Sequence, residues 1–225
     1  MSAIIAIPAR LESTRLPNKM LLKKNGHPLI WHTILQAEKT GLPVVVATDS
    51  MKIFNLVDPF CIPIFTEACE SGTERIVDAL CQPSFIRYDH VVNWQGDEPE
   101  FPPERVLELL EEMDGYDIGT FCTKPTPDEL YDPNTVKVRI NGRMEAVRFT
   151  RGESIGYKHM GIYIFSKKFI QDFPFMEDSE ASIEESLEQI KWMENGYKIL
   201  VKNIPESTIG IDTEEDYKRY TGEKI

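Results

Sequence analysis

From the start of the chain to about residue 113, short apolar runs alternate with stretches whose apolar residues recur three or four positions apart. Ala3 to Ile7 is the first run, closed by Pro8. A segment this short, Ile-rich and bounded by a turn residue predicts a fully buried strand. Pro43–Thr48, Cys61–Phe65 and His90–Trp94 predict three more strands. Helices are expected between them. One runs from Pro28 to about Lys39 and is ended by Gly41; Pro in the first turn loses nothing by lacking an N–H. A second, Met51–Val57, has Asp49 and Ser50 as caps. A third follows Ser71-Gly-Thr73 with Ile76, Val77 and Leu80 at helical spacing. The fourth is opened by Pro102 and Pro103 and repeats Val106, Leu107, Leu110 and Met113 on one face. Strand and helix in alternation imply parallel strands joined by crossover helices. The first ~120 residues are therefore expected to form an open α/β sheet with helices on both faces.

After Tyr116 the pattern changes. Ile118–Cys122, Val136–Ile140, Glu145–Phe149 and His159–Phe165 read as strands, and Asn141-Gly142 is a hairpin signal between two of them. A helix is expected over Ser182–Asn195, stopped by Gly196, then a strand over Lys198–Lys202 and a final helix from Thr213. The whole chain reads as one domain, 1–225, in which about 1–120 is the open parallel sheet and about 121–200 an antiparallel elaboration of it.

Length and charge narrow the classes. The 225 residues suffice for a sizeable core without disulfides or a structural metal. The net charge of −12 repels phosphate backbones, which argues against a nucleic-acid partner but not against a small anionic substrate met by a local basic pocket. No apolar run approaches the roughly 20 residues of a membrane span, so no membrane insertion is expected. The N-terminus lacks the basic region of a signal peptide. Cys61, Cys69, Cys81 and Cys122 form no CxxC pair, which fits reduced thiols in a cytoplasmic protein rather than a zinc site.

Four segments could carry chemistry. The loop Pro8–Lys19 holds Arg10, Arg15 and Lys19 together with Ser13 and Thr14, just beyond a strand's carboxyl end, where open α/β sheets bind ligands. Its cations can neutralise a polyphosphate. It equally suits a solvated basic loop, and it matches neither a Walker A nor a GxGxxG pattern. Gln95-Gly-Asp97-Glu98-Pro99 puts a carboxylate pair at a strand tip, suited to a hard cation or to a simple Gly-Asp turn. Gly210-Ile-Asp212-Thr213 precedes a helix that Thr213 with Asp216, or Asp212 with Glu215, can cap. Asp212 has a chemical role only if the fold brings it to Asp97. Ser71-Gly72-Thr-Glu-Arg75 is a turn into a helix whose N–H groups could read a base edge, or a plain cap. His159 and Tyr163 share a strand face, close in sequence to Arg151.

Taken together, these segments resemble the 3-deoxy-manno-octulosonate cytidylyltransferases, the CMP-Kdo synthetases. The resemblance runs nearly end to end. It rests on Ile7-Pro-Ala-Arg-Leu-Glu-Ser-Thr-Arg-Leu-Pro-Asn-Lys19, Val46-Ala-Thr-Asp49, Ser71-Gly-Thr-Glu-Arg75, Gln95-Gly-Asp-Glu-Pro99, Asp132-Pro-Asn-Thr-Val-Lys-Val138, His159-Met-Gly-Ile-Tyr163, Leu187-Glu-Gln189 and Gly210-Ile-Asp-Thr213, in this order. The resemblance implies a nucleotide-diphospho-sugar transferase type of α/β fold with a small antiparallel subregion. It implies the reaction of CTP with Kdo to give CMP-Kdo and pyrophosphate, with Mg²⁺, in lipopolysaccharide or capsule assembly. The alternative it leaves open is CMP transfer to another acidic keto-deoxy sugar, 8-amino-Kdo or a nonulosonate. By position it assigns Arg10, Ser13, Arg15, Lys19, Ser71, Gly72 and Arg75 to CTP, and Asp97 and Asp212 to the metal. It makes Lys19, Arg15, Asp97 and Asp212 the catalytic set. Gln95, Arg151, His159, Tyr163, Glu185 and Gln189 fall to the sugar acid. A homodimer belongs to the same set of expectations.

The chain departs from the family pattern in two places. Only Gly152–Lys158 separates Arg151 from His159, where the family has a longer Pro- and Trp-containing segment that serves the sugar side and subunit contacts. The stretch Phe65-Thr-Glu-Ala-Cys-Glu70 is also short, and Glu67 stands where a basic residue is usual.

Overall fold

A computed structural model describes residues 2–82, 85, 87–208 and 210–222. The chain is α/β, and it divides into two compact units, residues 1–107 with 208–225, and residues 108–207.

The first unit is built on four parallel strands. β1 (Ala3–Pro8) is buried at every position, as its continuous apolar run requires. A two-stranded ribbon, β2 (Lys23–Lys24) with β3 (His27–Pro28), leads into α1 (Leu29–Glu38). β4 (Val44–Thr48) is also fully buried. α2 (Met51–Val57) starts at Ser50, whose hydroxyl accepts from the Ile53 N–H. β5 (Ile62–Phe65), α3 (Gly72–Leu80) and β6 (His90–Asn93) follow. The spatial order is β6-β1-β4-β5, with Ile5 level with Val44 on one side and Val92 on the other. All four strands therefore point their carboxyl ends the same way, and the loops after β1 and β6 leave from one end of the sheet. Open parallel sheets place ligand sites at that end.

α4 (Pro103–Glu112) carries the chain into the second unit. Val106, Leu109, Leu110 and Met113 are buried and Leu107 is exposed, so the apolar face is turned one position from that expected. The second unit contains β7 (Ile118–Thr123), α5 (Pro127–Tyr131), β8 (Lys137–Ile140), β9 (Ala146–Thr150) and β10 (Tyr157–Ser166). It continues with α6 (Lys167–Asp172), α7 (Glu180–Glu185), α8 (Glu188–Glu194) and β11 (Ile199–Asn203). β10 lies antiparallel to both β7 and β8, β8 pairs antiparallel with β9, and β11 runs parallel to β7. Phe165, Phe169 and Trp192 stack edge and face around Tyr163 to form the core here.

One local expectation is corrected and one refined. The helix expected over Ser182–Asn195 is two helices, because Ser186 takes a left-handed conformation (φ 52°) that ends α7. The hairpin expected at Asn141-Gly142 is present as β8 and β9, but its turn extends to residue 145. Met144 carries a positive φ (61°), while the Asn141 side chain accepts from the N–H groups of Arg143 and Glu145. The chain returns to the first unit for α9 (Glu214–Thr221).

Candidate functional site

Lys19 is the centre of the site in the first unit. It follows Asn18, which turns the chain with φ 54°, and opens a short 3-10 turn at the end of the loop after β1. Lys19 is only 9% exposed, and a buried ammonium needs carboxylates. It has two: its Nζ donates to Asp97 and to Asp212 Oδ1, the latter at 2.8 Å. Asp212 Oδ2 accepts from Arg15 Nη2 at 2.8 Å. Two carboxylates 115 residues apart in sequence, at positions 97 and 212, therefore meet on one cation.

The backbone explains the convergence. The Ile211 N–H donates to the Asp97 carbonyl at 2.9 Å, which clips the 210–213 segment to the loop after β6. The Thr208 hydroxyl donates to Glu98 Oε2 at 3.1 Å as a second tie. Thr213 caps α9 by accepting from the Asp216 N–H, and Asp216 in return accepts from the Thr213 N–H. Of the two capping arrangements open in the sequence, the structure adopts Thr213 with Asp216, which leaves the Asp212 carboxylate for Lys19 and Arg15. The carboxylate pair read at the strand tip is likewise redrawn. Glu98 is buried and takes the Thr208 hydroxyl, so the partner of Asp97 is Asp212.

The ionisation states follow. Burial alone lowers the pKa of Lys19, but the charges of Asp97 and Asp212 and their hydrogen bonds outweigh it and hold the ammonium above its ordinary 10.5. Burial pushes Asp212 up, but Lys19, then Arg15 and Arg10, hold it below its ordinary 3.8. Lys19 and Asp212 are therefore both ionised throughout the neutral range.

Other expected residues lie around it. Gly96 packs so tightly that a Cβ there would fall 3.1 Å from the Pro8 carbonyl, and one at Gly72 would fall 3.2 Å from Pro8 and 3.4 Å from the Gln95 amide. Glycine at these two positions lets the loops after β1 and β6 and the start of α3 come together. Ser71 caps α3 through the Glu74 N–H at 3.0 Å. Arg10 is exposed and Ser13 half-buried on the loop. Arg75, expected among the CTP contacts, is 3% exposed. Its guanidinium is bound to Asp49 at 2.6 Å and to the Thr66 hydroxyl at 2.6 Å, so it braces the ends of β4 and β5. Asp49 had a role only as a cap in the sequence. Thr33, absent from the sequence reading, supports the Asp97 loop from α1 by donating to the Gly96 carbonyl at 2.7 Å. A threonine inside an apolar helical stripe was the available signal.

The second unit gathers the five residues assigned there. The Arg151 N–H donates to Glu185 at 3.3 Å, and its guanidinium to the Asn134 carbonyl at 2.9 Å. His159 and Tyr163 have ring centroids 5.4 Å apart, and the Gln189 amide donates to the Tyr163 hydroxyl. His159 Nε2 lies 3.0 Å from the Thr120 hydroxyl. Burial, helped by the charge of Arg151, pushes the His159 pKa down to about 3, so the ring is neutral. Burial raises the Tyr163 pKa above its ordinary 10.0. Gln189 Oε1 and Trp192 Nε1 are buried without a hydrogen-bond partner among the described residues.

Comparison with known proteins places this geometry. The family model described as cytidylyltransferase matches residues 4–202. The chain belongs to the cytidylyltransferase family. A 3-deoxy-manno-octulosonate cytidylyltransferase of Francisella tularensis subsp. novicida is 35% identical over 96% of this chain and 95% of its own. That of Coxiella burnetii is 33% identical over 96% of each. Among solved structures, a CMP:2-keto-3-deoxy-manno-octonic acid synthetase complexed with CTP superposes with a TM-score of 0.91 at 33% identity, over 99% of this chain and 98% of its own. HddC from Yersinia pseudotuberculosis, at 17% identity and TM-score 0.76 over 99% of both chains, shares the fold.

Proposed function

We propose that this cytidylyltransferase transfers the CMP group of CTP to Kdo, giving CMP-Kdo and pyrophosphate. The carrying observation is the meeting of Asp97 and Asp212 on Lys19 with Arg15 beside them. The names of the full-length relatives support the choice of sugar.

In the reaction the anomeric hydroxyl of the sugar acid bonds to the α-phosphorus. The bond from that phosphorus to the bridging oxygen breaks, pyrophosphate departs with the oxygen, and the hydroxyl proton passes to solvent. Arg10, Arg15 and Lys19 hold the triphosphate and neutralise its leaving half. Ser13, Ser71 and Gly72 line the nucleotide with hydroxyl and backbone donors, and Arg75 acts through Asp49 and Thr66 to fix that side. Arg151 attracts the sugar carboxylate. Neutral His159, Tyr163, Gln189 and Glu185 bind and orient its hydroxyls. No side chain becomes covalently linked to substrate.

A divalent cation belongs to this chemistry, and the residues fit one. Asp97 and Asp212 already converge on a positive charge, and hard carboxylate oxygens suit Mg²⁺. Among the described residues no cluster of three or more His, Cys, Asp or Glu side chains is present. Mg²⁺ is ordinarily held by one or two carboxylates together with substrate phosphates and water, and Asp97 and Asp212 are two carboxylates that converge. When bound, Mg²⁺ would draw charge from the phosphates and acidify the attacking hydroxyl.

The test is pyrophosphate release from CTP and Mg²⁺ with a panel of Kdo, 8-amino-Kdo and a nonulosonate. Kdo is expected to give the highest kcat/KM. Turnover of none of the three would overturn the assignment, and preference for another acid would replace the sugar. The cytoplasm is the location that goes with this reading.

A further inference from the structure

In the function proposed above, Lys19 and Arg15 have a triphosphate as partner, and Asp97 and Asp212 have a divalent cation. In the structure these four side chains satisfy one another. Lys19 Nζ contacts both carboxylates, and Arg15 Nη2 takes the remaining oxygen of Asp212 at 2.8 Å. The two sets of partners exclude each other. A cation bound by both Asp97 and Asp212 needs the position that the ammonium fills, and the side chains of Lys19 and Asp97 are only 11% and 18% exposed, too enclosed for water to screen a third positive charge. We propose that Lys19 is an internal stand-in for the divalent cation, holding Asp97 and Asp212 until a nucleoside triphosphate draws its ammonium away, so that metal and nucleotide load as a coupled pair. This inference rests on the proposed assignment of Asp97 and Asp212 to the metal.

Charge and mobility both favour the exchange. The four side chains are formally neutral together. A divalent ion arriving alone brings two uncompensated positive charges, and a triphosphate arriving alone brings a large negative excess; arriving together they largely cancel. The carboxylates are the fixed parties. Ile211 N–H on the Asp97 carbonyl and Thr208 on Glu98 tie their two segments together, and Asp216 holds the 212–213 backbone. The moving parties are the four-carbon stem of Lys19 and Arg15, whose side chain is 54% exposed. Linkage then requires reciprocity. CTP tightens metal binding by the factor by which metal tightens CTP binding.

The test uses Mn²⁺ as probe, with free ion counted by electron paramagnetic resonance. Without nucleotide, Lys19→Met should bind Mn²⁺ about ten-fold or more tightly than the wild type, within the usual range of coupling between sites. CTP should tighten Mn²⁺ binding, beyond what CTP alone binds, in the wild type and far less in Lys19→Met. A second arm needs neither metal nor a change at Lys19. In EDTA, Asp97→Asn removes one of the two carboxylates that hold the ammonium, and calorimetry should find CTP bound several-fold more tightly than by the wild type. Equal or weaker nucleotide-free Mn²⁺ binding by Lys19→Met, with CTP-supported binding intact in the wild type, overturns the exchange and leaves the metal assignment standing. So does unchanged or weaker metal-free CTP binding by Asp97→Asn. Absence of Mn²⁺ binding from both proteins, with and without CTP, overturns the assignment and the exchange with it.

Discussion

Lys19 shows how one side chain ties stability to chemistry. Its ammonium is buried and tolerated because two carboxylates surround it. Removing one partner of such a group leaves a charge uncompensated, a change that typically costs about 3–5 kcal/mol when the pair is fully buried. The cost here is smaller, since Lys19 keeps the other carboxylate. The pH behaviour of the cluster has a definite sign. The lowered pKa of Asp212 gives stability that is complete above 3.8 and lost as pH falls through the folded value. The raised pKa of Lys19 gives stability present below 10.5 and lost as pH rises through its folded value.

His159 costs stability at mildly acid pH. Its folded pKa is about 3 against an ordinary 6.5, so below 6.5 the unfolded chain takes up the proton first and the fold loses stability. We expect the wild type to lose melting temperature between about pH 7 and about pH 5, and His159→Gln to lose measurably less over that range. Equal losses would mean that the ring is not held neutral in the fold.

At the scale of elements, the strands and their caps were the legible part. Ala3–Ile7 and Pro43–Thr48 read as buried strands because a parallel sheet buries both faces, which leaves an unbroken apolar run. Ser50, Ser71 and Thr213 read as caps because a hydroxyl just before a helix has a fixed task, and all three accept the expected N–H. What escaped was decided by backbone conformation or tertiary packing. Nothing local marks Ser186 as left-handed, so the break between α7 and α8 was hidden inside one amphipathic pattern. The short helix α5 was missed although Thr126-Pro-Asp-Glu129 is a capping box, with Thr126 and Glu129 bound reciprocally. Leu107 and Leu109 both suit an apolar stripe, and only the packing chose Leu109. In the site, the cationic loop and the acidic motifs were visible as segments. The pairing of Asp97 with Asp212 was legible only through the family resemblance and not from the segments themselves, because it depends on the Ile211–Asp97 backbone bond across more than half the chain. The burial of Arg75 was invisible for the same reason.

The cap before α9 can be tested on its own. Thr213→Ala removes the hydroxyl that Asp216 N–H binds and should cost about 1 kcal/mol by denaturant melts. It should also weaken the fixing of Asp212, so turnover should fall with it. Full stability and full turnover together would show that the cap does not position the carboxylate.

At the scale of the whole molecule, the family match spans residues 4–202 and the solved relative bound to CTP aligns with 99% of the chain. A fold shared at this level with a CTP-bound relative fits a protein whose net charge is −12 yet which gathers Arg10, Arg15 and Lys19 on one loop. The background charge discourages nucleic acid, and the local cluster admits a small polyanion. Retention of single-stranded RNA on a filter at low salt should be negligible; strong retention would contradict this division of charge. No helix among the described residues is long and apolar enough to cross a membrane.

The most direct measurement compares pyrophosphate release from CTP, Kdo and Mg²⁺ by the wild type, Asp97→Asn and Asp212→Asn, each checked for native circular dichroism. The wild type should turn over, and each variant should lose at least about 10²-fold in kcat, the scale on which single groups that stabilise transition-state charge contribute. Undiminished turnover by either folded variant would contradict the claim that these two carboxylates form the centre of the reaction.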